Sequence, residues 1–352
     1  MYLLELGGED DAFAACEAAN AATNVDRIAA GLAVAGTIAP ERVRGLAYTR
    51  RASDLVGRTD ASLDSAVTLL EAAPISREGT VAVRARDVRG GTGVSTSDAE
   101  RALGQVLVDR GFSVDLDDPD HELRAVFAPA TDAASGDGDA TDREGALGDA
   151  GVCALGWLAV ESTRDFGDRL PTDKPFFQPG SMDPLLARAV ANVAGAAPGR
   201  RLLDPMCGTG GVLVEAGLVG AAVVGVDAQE KMSRGARTNL GHYLGDGADQ
   251  AVTDPGDWDV CRGDATRLPF VDDSFDAAVF DAPYGRQSKI ATHRLDDLVA
   301  GALAETRRVA DRAVVVADRS WASVAREAGW TIEATFERPV HRSLTRYVLV
   351  LE

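Results

Sequence analysis

The chain has 352 residues, 45% of them hydrophobic and 26% charged, with a net charge of −19. That length exceeds one ordinary core and suits two domains, and the composition is that of a soluble globular protein. No run of about 18 uncharged apolar residues occurs, and the opening MYLLELGGEDD has neither a basic nor a long apolar segment, which argues against a membrane span or secretion signal and for the cytosol.

The pattern begins with a short strand (YLLEL), an alanine-rich helix (DAFAACEAANAA) and a second helix after Ser62 (SLDSAVTLLEAA). A strand TVAVRARDV follows, then a helix whose capping box is expected at Ser97 and Glu100, then strands FSVDL and LRAVFA. Residues 129–151, rich in Asp and Gly and without apolar periodicity, read as a disordered acidic insertion. The strand VCALGWLAVES comes after it. Such alternation predicts an α+β module of ferredoxin-like proportions over residues 1–162. The stretch from Thr163 to Pro184 holds four prolines, so 163–180 reads as a linker and 181–352 as a second domain.

Beyond the linker, short apolar runs alternate with helices: RRLLD, AAVVGVD, WDVCRGD, FDAAVFD and RAVVVAD, then a closing pair, WTIEATFERPV and SLTRYVLVLE. This rhythm predicts an α/β fold with a seven-stranded, doubly wound, mostly parallel sheet that the last two strands close antiparallel. Four runs end in aspartate, at Asp204, Asp227, Asp281 and Asp318. Ligands of such sheets bind beyond the carboxyl ends of the strands.

The segment LLDPMCGTGGVLVEA places Asp204 at a strand end and Cys207, Gly208 and Gly210 in the turn into a helix, where glycine lets the backbone approach a ligand. Asp227 is placed to accept hydrogen bonds from ribose hydroxyls. Asp264, in CRGDATRLPF, is placed to accept from an adenine amino group, with the Ala265 N–H available to ring N1. These positions together fit the amino acid, ribose and adenine of S-adenosylmethionine. A dinucleotide fits less well, because Leu213 occupies the third glycine position of GxGxxG and Asp204 suits an amino-bearing ligand.

The fourth strand of this half runs into DAPYG. Here the chain resembles the class I methyltransferases that act on exocyclic amino groups, whose mark is D/N-P-P-Y; Ala282 stands where that family has its first proline. The resemblance implies that the Asp281 carboxylate and the Ala282 carbonyl each accept one N–H of the target amine. Pro283 would fix the turn, and Tyr284 would stack on an extruded base. The segment DKPFFQPGSMDP is similar to one in the archaeal tRNA (guanine(10)-N2)-methyltransferase family that packs over the cofactor, which implies a pocket shaped by Phe176, Phe177 and Pro179. PVHRSLTRYVLV resembles the same family's closing strand and would bring His341, Arg342 and Arg346 near substrate. In the first half, GFSVDLDDPDHELRAVFA resembles a THUMP segment. That half is thereby identified as a ferredoxin-like plus THUMP module holding tRNA by its acceptor end, with Arg84, Arg86 and Arg89 as candidate phosphate contacts.

The activity so implied is S-adenosylmethionine-dependent methylation of N2 of guanosine 10 in tRNA. Alternatives are another tRNA guanosine such as position 6, a DNA amino-methyltransferase, and a catalytically idle RNA-binding protein. The missing DNA-reading domain counts against the second, and four acids facing one cleft count against the third. The expected partner is tRNA, with neither DNA nor membrane, and the expected state is a monomer. Charge distribution runs against this reading, since residues 1–173 carry −15 of the net −19. However, only Lys174, Lys231 and Lys289 are lysines among 36 basic residues, a pattern like that of extreme halophiles. In molar salt the Debye length falls to about 3 Å and net charge stops predicting partners. The scattered Cys16, Cys153, Cys207 and Cys261 have no metal-ligand spacing, so buried thiols rather than disulfides or a metal site are expected.

Overall fold

The structure, a computed structural model, describes residues 1–130, 151–245, 252–283, 294–341 and 344–352, with the backbone alone at 340 and 341. Most of the expected acidic insertion therefore lies outside the described residues, as do Tyr284 and Arg342. The chain forms two compact units, Met1–Arg44 with Tyr48–Ser162, and Gly45–Ala47 with Thr163–Glu352. Among the described residues no helix is long and apolar enough to cross a membrane.

In the first unit the strands are β1 (Tyr2–Leu6), β2 (Ala22–Thr23), β3 (Asp26–Ala29), β4 (Leu32–Ala35), β5 (Thr37–Ile38), β6 (Thr49–Asp60), β7 (Thr80–Asp87), β8 (Ser113–Val114), β9 (His121–Ala128) and β10 (Val152–Glu161). Eight of them form one sheet in the order β3-β4-β1-β6-β10-β9-β7-β8, while β2 pairs with β5. The helices are α1 (Asp11–Ala18), α2 (Pro40–Val43), α3 (Leu63–Ala72) and α4 (Thr96–Asp109). Leu70 of α3 and Leu103 and Leu107 of α4 share a core with Leu123, Phe127 and Leu155 of the sheet. Within the sheet, Glu5 of β1 is fully buried; its carboxylate accepts from Arg124 of β9 at 2.8 Å and from Arg86 of β7 at 3.2 Å.

Two local expectations change here. The predicted strand FSVDL shrinks to the two residues of β8, which pair only with Thr80 and Val81 of β7. The capping box at Ser97 and Glu100 is absent, because α4 starts two residues earlier: Ser95 is the cap, and its Oγ accepts from the Asp98 N–H at 3.3 Å. Glu100 then lies one turn further in and accepts from the Ala85 N–H of β7 at 3.0 Å, beyond the part of β7 that β8 covers.

In the second unit β11 (Arg201–Asp204), β12 (Ala222–Asp227), β13 (Trp258–Arg262), β14 (Ala277–Asp281), β15 (Ala313–Ala317), β16 (Ile332–His341) and β17 (Leu344–Leu351) form a seven-stranded sheet. Its order is β13-β12-β11-β14-β15-β17-β16. The first five strands are parallel, and β17 slots between β15 and β16, antiparallel to both. Only β17 therefore opposes the sheet, a refinement of the closing pair expected from sequence. The helices are α5 (Pro184–Val193), α6 (Gly211–Leu218), α7 (Glu230–Leu244), α8 (Leu295–Val309) and α9 (Ala322–Glu327). Strand order reverses between β11 and β14, where crossovers diverge and leave a crevice at the strand ends.

The proline-rich stretch carries more structure than its composition suggests. Short 3₁₀ turns span Phe166–Arg169 and Pro171–Asp173. Arg169 has no exposed surface and lies 2.8 Å from both Asp165 and Glu215 of α6, and the same Glu215 lies 2.8 Å from Arg188 of α5.

The cap assignment is open to a direct check. Ser95→Ala should destabilise the full chain by about 1 kcal/mol in urea unfolding, and Ser97→Ala should stay within about 0.5 kcal/mol of wild type. The opposite ranking would restore the capping box at Ser97.

Candidate active site

The glycine loop is built by its own backbone. Asp204 ends β11, and its Oδ1 accepts from the Met206 N–H at 3.0 Å, which turns the chain sharply. The Cys207 N–H donates to the Val226 carbonyl at 2.9 Å, and the Gly208 N–H donates to Asp227 Oδ2 at 3.0 Å, so the loop is stitched to β12. Gly208 and Gly210 have φ of +52° and +77°, the left-handed region that favours glycine. A Cβ on Gly208 would meet no atom of the described residues within 4 Å, so among them open space lies over the loop there. Gly210 then caps α6 with no side-chain acceptor, leaving first-turn N–H groups directed outward.

Three carboxylates gather around this loop. Asp204 is buried; desolvation first, and then the nearby charges of Asp227 and Asp281, push its carboxyl well above the ordinary carboxylate range. Burial also raises the Asp227 carboxyl, against the lowering effect of hydrogen bonds from Gln229 and Gly208. The Gly263 N–H donates to the Asp227 carbonyl at 3.1 Å, which brings the turn bearing Asp264 and Ala265 next to Asp227. Asp264 Oδ1 accepts from the Thr266 N–H at 2.9 Å and the Thr266 hydroxyl at 2.8 Å, and Ala265 is buried. Asp281 is half-buried at the end of β14. The Ala282 N–H donates to the Val316 carbonyl at 2.8 Å, which pins the residue after Asp281 to β15, and Pro283 follows half-buried. Asp318 lies just past β15, also half-buried.

The remaining sequence-derived positions divide. Cys207 turns its Sγ toward Gly225 of β12, at 3.0 Å from where a Cβ would sit, and burial pushes its thiol far up, so it packs rather than reacts. Phe177 and Pro179 are exposed, whereas the Phe176 ring lies against Gly235 of α7, where a Cβ would come within 2.0 Å of it. Asn239 of α7 explains that placement: its Oδ1 accepts from the Phe176 N–H, and its Nδ2 donates to the carbonyls of Phe176 and Thr209, each at 2.9 Å. Asn239 thus ties the PFF segment to the glycine loop. Sequence reasoning missed it, because one polar residue in an amphipathic helix looks like surface. Of the arginines, Arg84 donates to the Leu116 carbonyl at 2.6 Å, Arg86 to Glu5, and Arg89 to Asp11 at 2.7 Å, while Arg346 is buried in β17.

Residues 171–348 match the family model described as the RMKL-like methyltransferase domain. The chain is 34% identical over 313 residues to the tRNA (guanine(10)-N2)-dimethyltransferase of Methanothermobacter thermautotrophicus, covering 87% of this chain and 83% of that one. It is 29% identical over 284 residues to the protein of the same name from Pyrococcus abyssi, covering 78% and 74%. Among solved structures, TrmN from Thermus thermophilus aligns over 100% of this chain and 99% of its own, at 22% identity and a TM-score of 0.48. The α/β unit has the class I methyltransferase fold.

The raised Asp204 carboxyl predicts a pH signature. Between the unfolded carboxyl value near 3.8 and the higher folded one, the folded state holds more protons than the unfolded, so ligand-free stability falls as pH rises through that window. Asp204→Asn removes this loss. Unfolding measured at pH 4 and pH 7 should show the variant gaining on wild type at the higher pH, and a constant difference would contradict the assignment.

Proposed function

The chain belongs to the family of tRNA (guanine(10)-N2)-dimethyltransferases, and we propose that it transfers methyl groups from S-adenosylmethionine to N2 of guanosine 10 in tRNA. The observation that carries this reading is the set of carboxylates Asp204, Asp227 and Asp281 at the ends of adjacent parallel strands, around a glycine loop with open space above Gly208.

The residues present fit that cofactor. Asp204 is a buried carboxylate suited to an ammonium, Asp227 retains lone pairs for ribose hydroxyls, and the space over Gly208 accommodates close approach of a ligand. When bound, the cofactor supplies an electrophilic methyl carbon on a sulfonium. The protein's share is to orient the amine, whose lone pair is delocalised into the guanine ring. Asp281 accepts one N2–H and the Ala282 carbonyl the other, so the nitrogen turns pyramidal with its lone pair directed at the methyl carbon. No strong base is required, since the nitrogen becomes acidic as its new bond forms. Anchoring of the Ala282 N–H to Val316 supplies part of the rigidity that a first proline would give. One N–H remains after the first transfer, so one of the two acceptors can hold it for a second. Tyr284, outside the described residues, is assigned to stacking under the base.

The first unit is assigned to holding tRNA, on the THUMP resemblance of residues 111–128. All three arginines are already engaged within the unit, Arg84 with Glu122, Arg86 with Glu5 and Arg89 with Asp11, and the side chains of Arg84 and Arg89, 38% and 41% exposed, are the ones open to a phosphate. Near-absence of lysine and the charge of −19 support work in molar salt. Transfer assayed in molar KCl should fall about 10²- to 10³-fold in Asp281→Ala, while S-adenosylhomocysteine binding stays within a few-fold of wild type. Equal loss of both would reassign Asp281 to the cofactor.

A further inference from the structure

Lys174 is buried, 5% exposed, and its Nζ has no hydrogen-bond partner among the described residues. The Nζ lies 3.1 Å from the position a Cβ would take on Gly211, the first residue of α6. It therefore sits against the helix end whose N–H groups have no side-chain cap. The neighbouring Glu215 carboxylate is already committed to Arg169 and Arg188. Burial first, and the Arg169 charge as well, disfavour the ammonium, with Glu215 and Asp183 acting the other way. An unpartnered buried cation is unfavourable, and a helix N-terminus beside it adds partial positive charge. Two cationic features converging on one spot call for an anion. The same glycine loop starts at Asp204, a buried carboxylate that calls for a cation. A zwitterionic α-amino acid satisfies both, and a phosphate satisfies only one.

We propose that Lys174, with the first-turn N–H groups of α6, binds the α-carboxylate of the methionyl part of the cofactor, while Asp204 holds its α-ammonium. This rests on the S-adenosylmethionine reading given above. Gly211 is glycine for the same reason, since a Cβ there would press on the ammonium.

The test is calorimetric titration of the full chain with S-adenosylhomocysteine and with its decarboxylated analogue, which keeps the adenosine and the ammonium. In Lys174→Met, affinity for S-adenosylhomocysteine should fall about 10- to 100-fold, and affinity for the analogue should stay within about twofold. Ligand-free Lys174→Met should melt no lower than wild type, because an unpartnered buried charge has been replaced by an apolar chain of similar volume. Equal weakening toward both ligands, or a lower melting temperature, would make Lys174 a structural residue and overturn the proposal. Unchanged affinity for both would overturn it too. A wild-type protein that binds neither ligand would show instead that the cofactor reading has failed.

Discussion

Glu215 has no exposed surface and holds two guanidiniums, Arg169 and Arg188, that have none either. Burying such a cluster is costly in desolvation, and once formed it is costly to break: removing one partner leaves charge stranded, at about 3–5 kcal/mol. Each partner comes from a different segment of the second unit. Arg169 belongs to the proline-rich stretch, Arg188 to α5, and Glu215 to the second turn of α6, just past the glycine loop. Arg188 and Asn192 also donate to the Gly45 carbonyl, drawing 45–47 into the unit. The Phe166 ring lies under Arg164, Arg169 and Arg188, with the cations 5.0–5.6 Å from its centroid. This cluster, with Asn239, fixes the segment carrying Lys174 and Phe176 beside the loop.

The site is a place where stability is given up for binding. Asp204 is buried at a strand end beside the charges of Asp227 and Asp281, which add to desolvation in raising its carboxyl. Across the loop the buried Lys174 Nζ, with no hydrogen-bond partner among the described residues, lies at the start of α6, an arrangement that a bound anion would relieve. A sequence selected for stability alone would hold neither feature. Together they would suit the two opposite charges of the zwitterion proposed above.

The parallel sheet of the second unit was legible because β11, β14 and β15 are buried over nearly all their residues, and such strands read as unbroken apolar runs between helices; β12 is half-buried at several positions yet its sequence AVVGV reads the same way. The long β6 was not: TRRASDLVGRTD has no clean alternation, because its residues pair on both sides through two bulges with β10. Strand-end aspartates were visible as punctuation, and the glycine loop as spacing. The second layer of the site was invisible for a common reason: Lys174, Glu215 and Asn239 are polar residues in segments whose polar positions normally face water. Phe176 and Phe177 could not be told apart by sequence, since the choice depends on Gly235 being bare enough to receive a ring. The cap of α4 was misplaced because Ser95 and Ser97 both precede a plausible helix, and the function of Glu100 is decided across space by the Ala85 N–H.

The central claim is that the Asp281 end of β14 receives the exocyclic amino group of guanosine 10. Inosine differs from guanosine only in lacking that group. A tRNA with inosine at position 10 should therefore bind as the guanosine tRNA does yet accept no methyl label, while the guanosine tRNA yields methylated guanosine at that position. Label entering the inosine tRNA at a comparable rate would contradict the account.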